Sequence, residues 1–385
     1  MKKMIRLLNI LAVVLSPVII KVLWVMSMTF RHGNLDKEKK EIIRRANYLV
    51  AKIKDPEQLF DEMPNNYGSQ FQGEWALYTC SMTTVALSNI ARLYPEKREW
   101  AIAHIKRIID IAMSPKIREY DRVRWYGEDA LDSLDGNASH VSYLSILAWM
   151  IGRYRQIGGG SQYDGLYHSI CDTMNRRILQ SPILNLPSYP GEPIYVPDML
   201  VAIVALTEYA KWNGGKYQST VDKWVQMAKT EWIDEETGLL ASYLTEDGRS
   251  AKSVSGSYAA LNCSYLALVD QEFAKGQYEL LKKHFKKDYP FAGIKEYTDR
   301  DSWFDDENVD AGPIILGLSS SGTAFAIGCA TTLGDMKFRN QLLRTAEIAG
   351  STVTWNGKSH YLLANWVLVG EAVALAMRTA KQESS

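Results

Sequence analysis

Hydrophobic positions follow two alternating patterns from Leu35 to the end of the chain. In the first pattern, as in residues 35–53 and 96–113, apolar side chains recur three and four positions apart and charges occupy the opposite face, which predicts an amphipathic helix. In the second, as in residues 198–213, the segment is apolar on nearly every side and rich in small residues. A helix that is hydrophobic all round lies inside a protein, so outer and inner helices are expected to alternate.

Twelve helices are predicted, with bounds good to a few residues. They cover residues 35–53, 74–94, 96–113, 139–157, 161–180, 198–213, 217–232, 256–272, 274–286, 313–332, 335–349 and 361–380. The links after inner helices are short, whereas those after outer helices are long. Helices joined by short links run antiparallel, so the six long loops should emerge at one end. This alternation predicts an all-α fold, an (α/α)6 toroid with six inner and six outer helices.

One insertion and the N-terminal segment depart from this pattern. Residues 238–254 alternate around Glu246-Asp247-Gly248, which predicts a small β-hairpin. Leu7 to Phe30 form an apolar run after a basic start, and a run of about 20 apolar residues can span a bilayer. The expected domains are therefore residues 1–34, a signal anchor or signal peptide, and residues 35–385, the barrel.

The N-terminal run favours an uncleaved transmembrane signal anchor over a cleaved signal peptide, because no clear small-x-small site follows it. Basic residues lie on both sides of the run, so the positive-inside rule leaves its orientation open. The order of a basic and then an apolar region favours export. We expect a membrane-anchored protein with its barrel on the periplasmic or extracytoplasmic side.

Composition excludes some classes of partner. Lys and Arg number 44, as do Asp and Glu, and this balance argues against a nucleic-acid binder. The four cysteines are far apart in sequence and each lies in an apolar segment, which favours buried thiols over a zinc site or a disulfide framework. No cofactor and no metal site are predicted, while an oligomer remains possible.

The long loops and the starts of the inner helices carry acidic and aromatic residues, which would surround a funnel. Paired carboxylates in such a place suit general acid–base chemistry and glycoside hydrolysis, and aromatic rings stack on sugars. The candidate catalytic residues are Asp198, Glu192, Glu128, Tyr189, Asp306 and Asp310. The candidate substrate-binding residues are Tyr67, Trp75, Trp125, Tyr126, His140, Tyr195, Tyr258, Trp303, His360 and Tyr361.

Several of these residues have a purely structural alternative. Asp198 directly precedes a predicted apolar helix and Asp310 lies three residues before Pro313, so both are also candidate helix caps. His140 and His360 are equally well explained as core histidines. The acidic run at residues 305–307 is also typical of a solvated loop tip. We expect Glu192, Asp198, Glu128 and one acid of the fifth loop to face a common cavity.

Three stretches resemble a known family: "YPGEPIYVPDMLVAIVAL", "TGLL" and "DENVDAGPIILGLSSSGTAFAIGCATTLGD". They are similar to bacterial proteins with a linalool dehydratase-isomerase-like domain. The resemblance implies an (α/α)6 barrel and a hydro-lyase that moves water on and off a small alcohol. In that family two cysteines occupy the loop positions that correspond to Tyr189 and Asp198 here, and neither of these residues is Cys.

Three hypotheses for function follow from the sequence. The first is an exported or membrane-anchored carbohydrate-active enzyme, a hydrolase, lyase or epimerase that acts on a cell-surface saccharide. The second is a linalool dehydratase-isomerase-like hydro-lyase. The third is a non-enzymatic glycan-binding or scaffold protein. An open groove would favour a polymeric substrate, and a closed pocket a small molecule.

Overall fold

The computed structural model describes residues 13, 15–24, 35–66, 68–298, 304–305, 309–365 and 367–380. From residue 35 onward, its α-helices are α1 Leu35–Lys52, α2 Pro56–Asp61, α3 Ser69–Leu93, α4 Arg98–Ala112, α5 Pro115–Arg124, α6 Val141–Gln156, α7 Asp164–Gln180, α8 Val196–Trp212, α9 Gln218–Thr230, α10 Gly256–Val269, α11 Gln271–Phe285, α12 Ser320–Thr332, α13 Met336–Gly350 and α14 Leu368–Arg378.

Within these ranges, six inner helices form a closed ring. Each of α3, α6, α8, α10 and α12 packs against the next inner helix, and α14 packs against α3. The outer helices α1, α4, α7, α9, α11 and α13 surround them, and each precedes one inner helix in sequence. The predicted (α/α)6 toroid is therefore confirmed.

Side-chain burial shows why the two sets of helices separate. Helix α8 buries nearly every residue from Val196 to Ala210, because it contacts neighbours on all sides. Helix α9 buries only Thr220, Val221, Trp224, Val225 and Ala228. Those five positions are three and four apart, so they form a single stripe that packs inward while the rest of the helix faces solvent.

The ring is closed by a buried network of ion pairs between the first outer helix and the last helices. Arg378 of α14 pairs with Glu38 of α1 at 2.7 Å and with Glu41 at 2.9 Å. Arg339 of α13 also pairs with Glu38, at 3.0 Å, and Arg45 pairs with Glu371 at 2.6 Å. We call these residues the closure network.

Two short helices occupy loops that the sequence predicted to be irregular. Helix α2 follows Asp55, whose carboxylate accepts a hydrogen bond from the Gln58 backbone N–H. Helix α5 follows Ser114, whose hydroxyl accepts from the Ile117 N–H. In both cases a proline stands at the first helical position, where its missing N–H costs nothing. An N-cap residue followed directly by proline was therefore the sequence signal for both short helices.

Two inner helices begin seven residues later than predicted, α12 at Ser320 and α14 at Leu368. Each is preceded by a tight hairpin whose two turn residues have positive φ: Leu316 and Gly317 in one, Asn356 and Gly357 in the other. That backbone geometry matches the right-handed twist of paired strands. The Asn356-Gly357 pair is a strong hairpin signal, and it lies in a segment that the sequence predicted only as a loop.

The described strands are β1 Ile194–Tyr195, β2 Tyr243–Leu244, β3 Lys286–Lys287, β4 Gly293–Ile294, β5 Phe304–Asp305, β6 Ile314–Ile315, β7 Leu318–Ser319, β8 Thr352–Trp355 and β9 Lys358–Tyr361. The predicted insertion forms a tight turn at Gly248, with a bridge from Leu244 to Ser250. Strand β2 also pairs antiparallel with β1 of the third long loop, which the sequence did not predict. Loops three and four are therefore joined at the rim.

Residues 15–24 are helical, and the Lys21 ammonium donates a hydrogen bond to the Ile348 carbonyl of α13 at 3.3 Å. No helix within the described ranges is both long and apolar enough to cross a bilayer. Most of the apolar run from Leu7 to Phe30 lies outside those ranges, so the signal anchor stays a prediction. All four cysteines are buried free thiols.

Candidate active site

A cavity of about 1380 Å³ opens at the end of the ring where the inner helices begin. Its walls come from the first, third, fifth and sixth long loops and from the first turns of inner helices. The second loop contributes only through α5, with Tyr120 and Arg124. The cavity lies where the alternation of short and long links predicted a funnel.

Three carboxyl groups from different elements line this cavity: Glu74 of α3, Asp198 of α8 and Asp310 of the short 3-10 helix Val309–Ala311. Glu74 and Asp198 are half-buried, whereas Asp310 has the most exposed surface of the three, although protein surrounds its carboxyl group. Burial and the negative charges of Asp310 and Asp198 together raise the pKa of Glu74 to about 8. We call these three residues the acid cluster.

The other two members of the acid cluster also hold their protons more tightly than in water. Burial raises the pKa of Asp198 to about 6, with a contribution from Asp310 and against a hydrogen bond from Ser188. Burial likewise raises the pKa of Asp310, whose carboxylate accepts a hydrogen bond from the Tyr258 hydroxyl. At pH 7, Glu74 is therefore mostly protonated and Asp198 mostly ionised, which provides an acid and a base in one cavity.

The local fold explains why Asp198 points into the cavity. Helix α8 begins at Val196, with Pro197 in its first turn, and no side chain caps it. Asp198 is thus the third helical residue and not the N-cap, and its carboxylate accepts from the Ser188 hydroxyl. The strand pairing of Ile194–Tyr195 with β2 fixes the chain direction just before this helix.

Glu192 lines the same cavity, but it is held in an ion pair. The Arg124 guanidinium at the end of α5 pairs with the Glu192 carboxylate and donates to the Gln70 side chain at 3.3 Å. The same guanidinium lies 4.3 Å from the centre of the Tyr189 ring. The Tyr189 hydroxyl accepts a hydrogen bond from Ser142 at 3.2 Å. These contacts make one side of the wall rigid.

Aromatic side chains surround the acid cluster. Tyr78 and Tyr265 share a hydrogen bond of 2.6 Å between their hydroxyls, and Tyr195 packs against Tyr243 with ring centres 4.9 Å apart. Tyr361 lies beneath the Arg45 guanidinium at 3.9 Å. The other aromatic lining residues are Phe71, Trp75, Tyr120, Tyr189, Tyr258, Phe291 and Phe325. Flat rings beside carboxyls match what a sugar ring requires.

Of the sixteen predicted site residues, eight line the cavity: Asp198, Glu192, Tyr189, Asp310, Trp75, Tyr195, Tyr258 and Tyr361. Tyr67, Trp303 and Asp306 lie outside the described residues. The expectation of a common cavity holds for Glu192, Asp198 and Asp310.

The remaining predicted residues of the second loop lie away from the cavity, and this part of the prediction is corrected. His140 is fully buried and its Nδ1 is 2.6 Å from an Asp121 carboxylate oxygen, as expected of a core histidine. Trp125 packs on the His140 ring at 5.0 Å. Glu128 contacts the far side of the same ring with its side chain 41% exposed, and Tyr126 is 87% exposed.

His360, which was predicted to bind substrate, also lies away from the cavity. Its ring stacks on Tyr48 of α1 with centres 4.0 Å apart and planes within 6°. It precedes Tyr361 in strand β9, and successive side chains of a strand point to opposite faces, so only Tyr361 reaches the cavity. The sequence predicted a loop at His360, and the alternation of side chains in strand β9 accounts for the difference.

The sequence prediction left out Glu74, Tyr78, Arg124 and Tyr265 as site residues. Glu74 was recognisable as a carboxylate near the start of an otherwise apolar inner helix, the same signal that identified Asp198. Arg124 had no such signal, because α5 was not predicted. Within the described part of the chain, no group of three or more His, Cys, Asp or Glu side chains is arranged to hold a metal ion.

The fold is similar to that of solved glycoside hydrolases. One is an unsaturated glucuronyl hydrolase specific for heparin, with a TM-score of 0.55 and 13% identity over 90% of this chain and 96% of the other. A second is a family 105 glycoside hydrolase from C. acetobutylicum ATCC 824, with a TM-score of 0.55 and 12% identity over 88% of this chain and 98% of the other. No family model and no curated protein matches the chain.

The linalool dehydratase-isomerase-like family is not among these findings, so the resemblance noted in the sequence is supported only in its implied fold. At 12–13% identity, the likeness to solved structures concerns architecture. What the comparisons establish is that this chain has the (α/α)6 barrel fold of those glycoside hydrolases.

Proposed function

We propose that the protein is a glycan-active hydrolase in which Glu74 is the general acid and Asp198 the general base. One observation carries this proposal: Glu74 and Asp198 line one cavity, and burial separates their pKa values to about 8 and about 6. An enzyme that cleaves a glycosidic bond needs one protonated and one ionised carboxyl at the same pH.

In the proposed reaction, Glu74 donates its proton to the glycosidic oxygen as the bond from that oxygen to the anomeric carbon breaks. Asp198 removes a proton from the water that attacks the anomeric carbon. The two products are a free hydroxyl on the leaving sugar and a hemiacetal, and proton exchange with solvent restores both carboxyls. Tyr258 orients Asp310, whose charge helps to keep Glu74 protonated.

Two further observations support a saccharide substrate. The partly exposed rings of Trp75, Tyr78 and Tyr195 line the cavity and offer stacking surfaces. The solved proteins of similar fold include a glucuronyl hydrolase and a family 105 glycoside hydrolase. A cavity of about 1380 Å³ accommodates more than one sugar ring, so a short oligosaccharide or the end of a chain fits better than a monosaccharide.

The test is a hydrolysis screen with oligosaccharides, including disaccharides with an unsaturated uronyl end, on the wild type and two variants. Glu74→Gln and Asp198→Asn keep side-chain shape and remove the proton-transfer group, so each should lower kcat by about 10²–10⁴-fold. Glu128→Gln, outside the cavity, is the matched control and should stay within about 3-fold of the wild type. Wild-type rates in both cavity variants would refute the assignment.

A hydro-lyase acting on a small alcohol is the alternative, and the opposite wall of the cavity favours it. That wall is formed by apolar side chains of α12, α13 and α14, among them Phe325, Ile348 and Val373. A terpene-like chain would pack there while Asp198 and Glu74 exchange the proton and water. Turnover of small unsaturated alcohols without turnover of saccharides would select this alternative, and binding without turnover would favour a scaffold role.

We also propose that the protein is exported and anchored in a membrane by its N-terminal apolar run. The run from Leu7 to Phe30 is long enough to span a bilayer, and the part that is described exposes Val18, Ile19 and Leu23. The full chain with a C-terminal tag should remain with membranes after alkaline extraction, and external protease should reach the tag when the outer barrier is opened. A soluble full-length chain would contradict anchoring.

A further inference from the structure

We infer that the substrate carries a protonated amino group, as in an amino sugar with a free amine, and not the carboxylate of a uronic acid. This inference rests on the proposed glycan-active function and specifies its substrate class. It follows from the charges that face the cavity and from how each of them is paired.

The described lining residues hold seven acids and a single cation, Arg124. That cation is already paired with Glu192 and oriented over Tyr189. A substrate carboxylate would have to displace Glu192 from Arg124, leaving one negative charge without a partner in the cavity. Binding an anion there is therefore costly.

Two of the lining acids are matched by cations from outside the cavity. Glu62 pairs with Lys52 at 2.8 Å, and Glu371 pairs with Arg45 at 2.6 Å. Glu74 and Asp198 have no ion pair with any residue that the structure describes, and Asp198 accepts a hydrogen bond only from Ser188. A positively charged ligand could therefore pair with the Asp198 carboxylate.

The surroundings of Asp198 suit an ammonium group. Its carboxylate lies in the first turn of α8 and faces the cavity. Tyr195 and Tyr258 line the cavity beside the acid cluster, and their ring faces attract a cation.

The experiment measures binding of four matched disaccharides by calorimetry: the β-1,4 dimer of glucosamine, its N,N′-diacetyl form, cellobiose, and a disaccharide ending in glucuronate. The full chain carries Glu74→Gln, which prevents turnover and retains the charge of the protonated acid. We expect the glucosamine dimer to bind at least about 10-fold more tightly than cellobiose, and the glucuronate disaccharide more weakly than cellobiose.

Adding Asp198→Asn should reduce the preference for the amine to below about 3-fold. Glu62→Gln in the same background is the control, because Glu62 is already paired with Lys52, and it should preserve the preference. Equal binding of all four probes, tightest binding of the glucuronate disaccharide, or no binding of the glucosamine dimer would overturn the inference. The proposed hydrolase function is tested separately in the hydrolysis screen. It would fail if Glu74→Gln and Asp198→Asn turned over saccharides at the wild-type rate.

Discussion

The molecule has two groups of carboxyls, the closure network and the acid cluster, whose pKa values shift in opposite directions. In the closure network, burial alone would raise the pKa of Glu41, but Arg378 and Arg45 overcome it and lower the pKa to about 2. In the acid cluster, burial and the neighbouring acids together raise the pKa of Glu74 to about 8, and Arg124 opposes them only in part. The same residue type therefore titrates about six units apart in one barrel.

The difference separates a structural role from a chemical one. Carboxylates with arginine partners stay ionised over the whole physiological range, so they hold helices together and exchange no protons. Carboxyls that meet other carboxyls titrate near neutrality, where proton transfer is possible. The arginines are placed at the junction of α1, α13 and α14, and few cations are placed at the cavity.

The largest effect is expected from breaking the closure network with Arg378→Met. The variant removes the main partner of the buried Glu38, which keeps Arg339, and of the partly exposed Glu41, which keeps Arg45. It should lower the free energy of unfolding by about 3 kcal/mol, the lower end of the cost of breaking a buried pair. Urea denaturation followed by circular dichroism measures the loss.

The matched control is Arg124→Met, which removes the cation of the cavity. Glu192 and Arg124 are partly exposed, so the expected loss is about 1 kcal/mol or less. If Arg378→Met and Arg124→Met lowered the free energy of unfolding equally, the proposed contrast between the closure network and the acid cluster would be contradicted.

A second prediction concerns the pH dependence of activity. Activity requires ionised Asp198 and protonated Glu74, so kcat should fall about 10-fold per pH unit below about pH 6 and above about pH 8. Because the two groups interact, these limits belong to the acid cluster as a whole. Asp310→Asn should move the alkaline limit downward, since it removes a charge that raises the pKa of Glu74.

A flat profile between pH 5 and pH 9 would rule out this pair as acid and base. Glu41→Gln serves as the comparison, because Glu41 keeps its charge across that interval and contacts no lining acid of the cluster. Its profile should keep the wild-type limits.

The smallest expected effect is a gain in stability from Asp198→Asn. The folded-state pKa of Asp198 is raised, so its contribution to stability is fully present below about pH 4 and is lost as the pH rises through about 6. Removing the ionisable group should stabilise the protein by ~1 kcal/mol at pH 7, after allowance for solvent in the cavity, and by nothing near pH 4. Denaturation at both pH values measures the difference.

Glu41 should show the opposite sign. Its lowered pKa gives stability above about pH 4.5 that is lost as the pH falls toward 2, so Glu41→Gln should destabilise at pH 7 and have less effect in acid. If Asp198→Asn and Glu41→Gln changed the free energy of unfolding in the same direction at pH 7, the contrast between the two regions would be contradicted.

Sequence patterns were sufficient for the ring but only partly for the site. The contrast between the all-apolar α8 and the one-sided α9 is a local property, so inner and outer helices were recognisable. The hairpin before α12 was missed because apolar strand residues such as Ile314 and Ile315 also fit a helix pattern. The hairpin before α14 lies in a segment that was predicted only as a loop.

Site residues were predictable where helix geometry decides their direction and not where loop conformation does. Asp198 reaches the cavity because it is at the start of an inner helix. His140 has a positive φ and turns into the core toward Asp121, a partner 19 residues away that no local pattern indicates. The pKa of Glu74 depends on Asp198 and Asp310, far apart in sequence, so it belongs to the folded structure alone.

The closure network also has a consequence for how the barrel assembles. Glu38 and Arg378 are separated by 340 residues in the chain, so their contact has a very high sequence separation and forms only after the helices between them are made. Until then, helices such as α8 expose apolar faces that have no partner, and such intermediates aggregate readily. The entropy of closing so long a loop grows only logarithmically with its length, so the delay is kinetic. In the cell, the chain should therefore need chaperones mainly during synthesis, while the ring is still open.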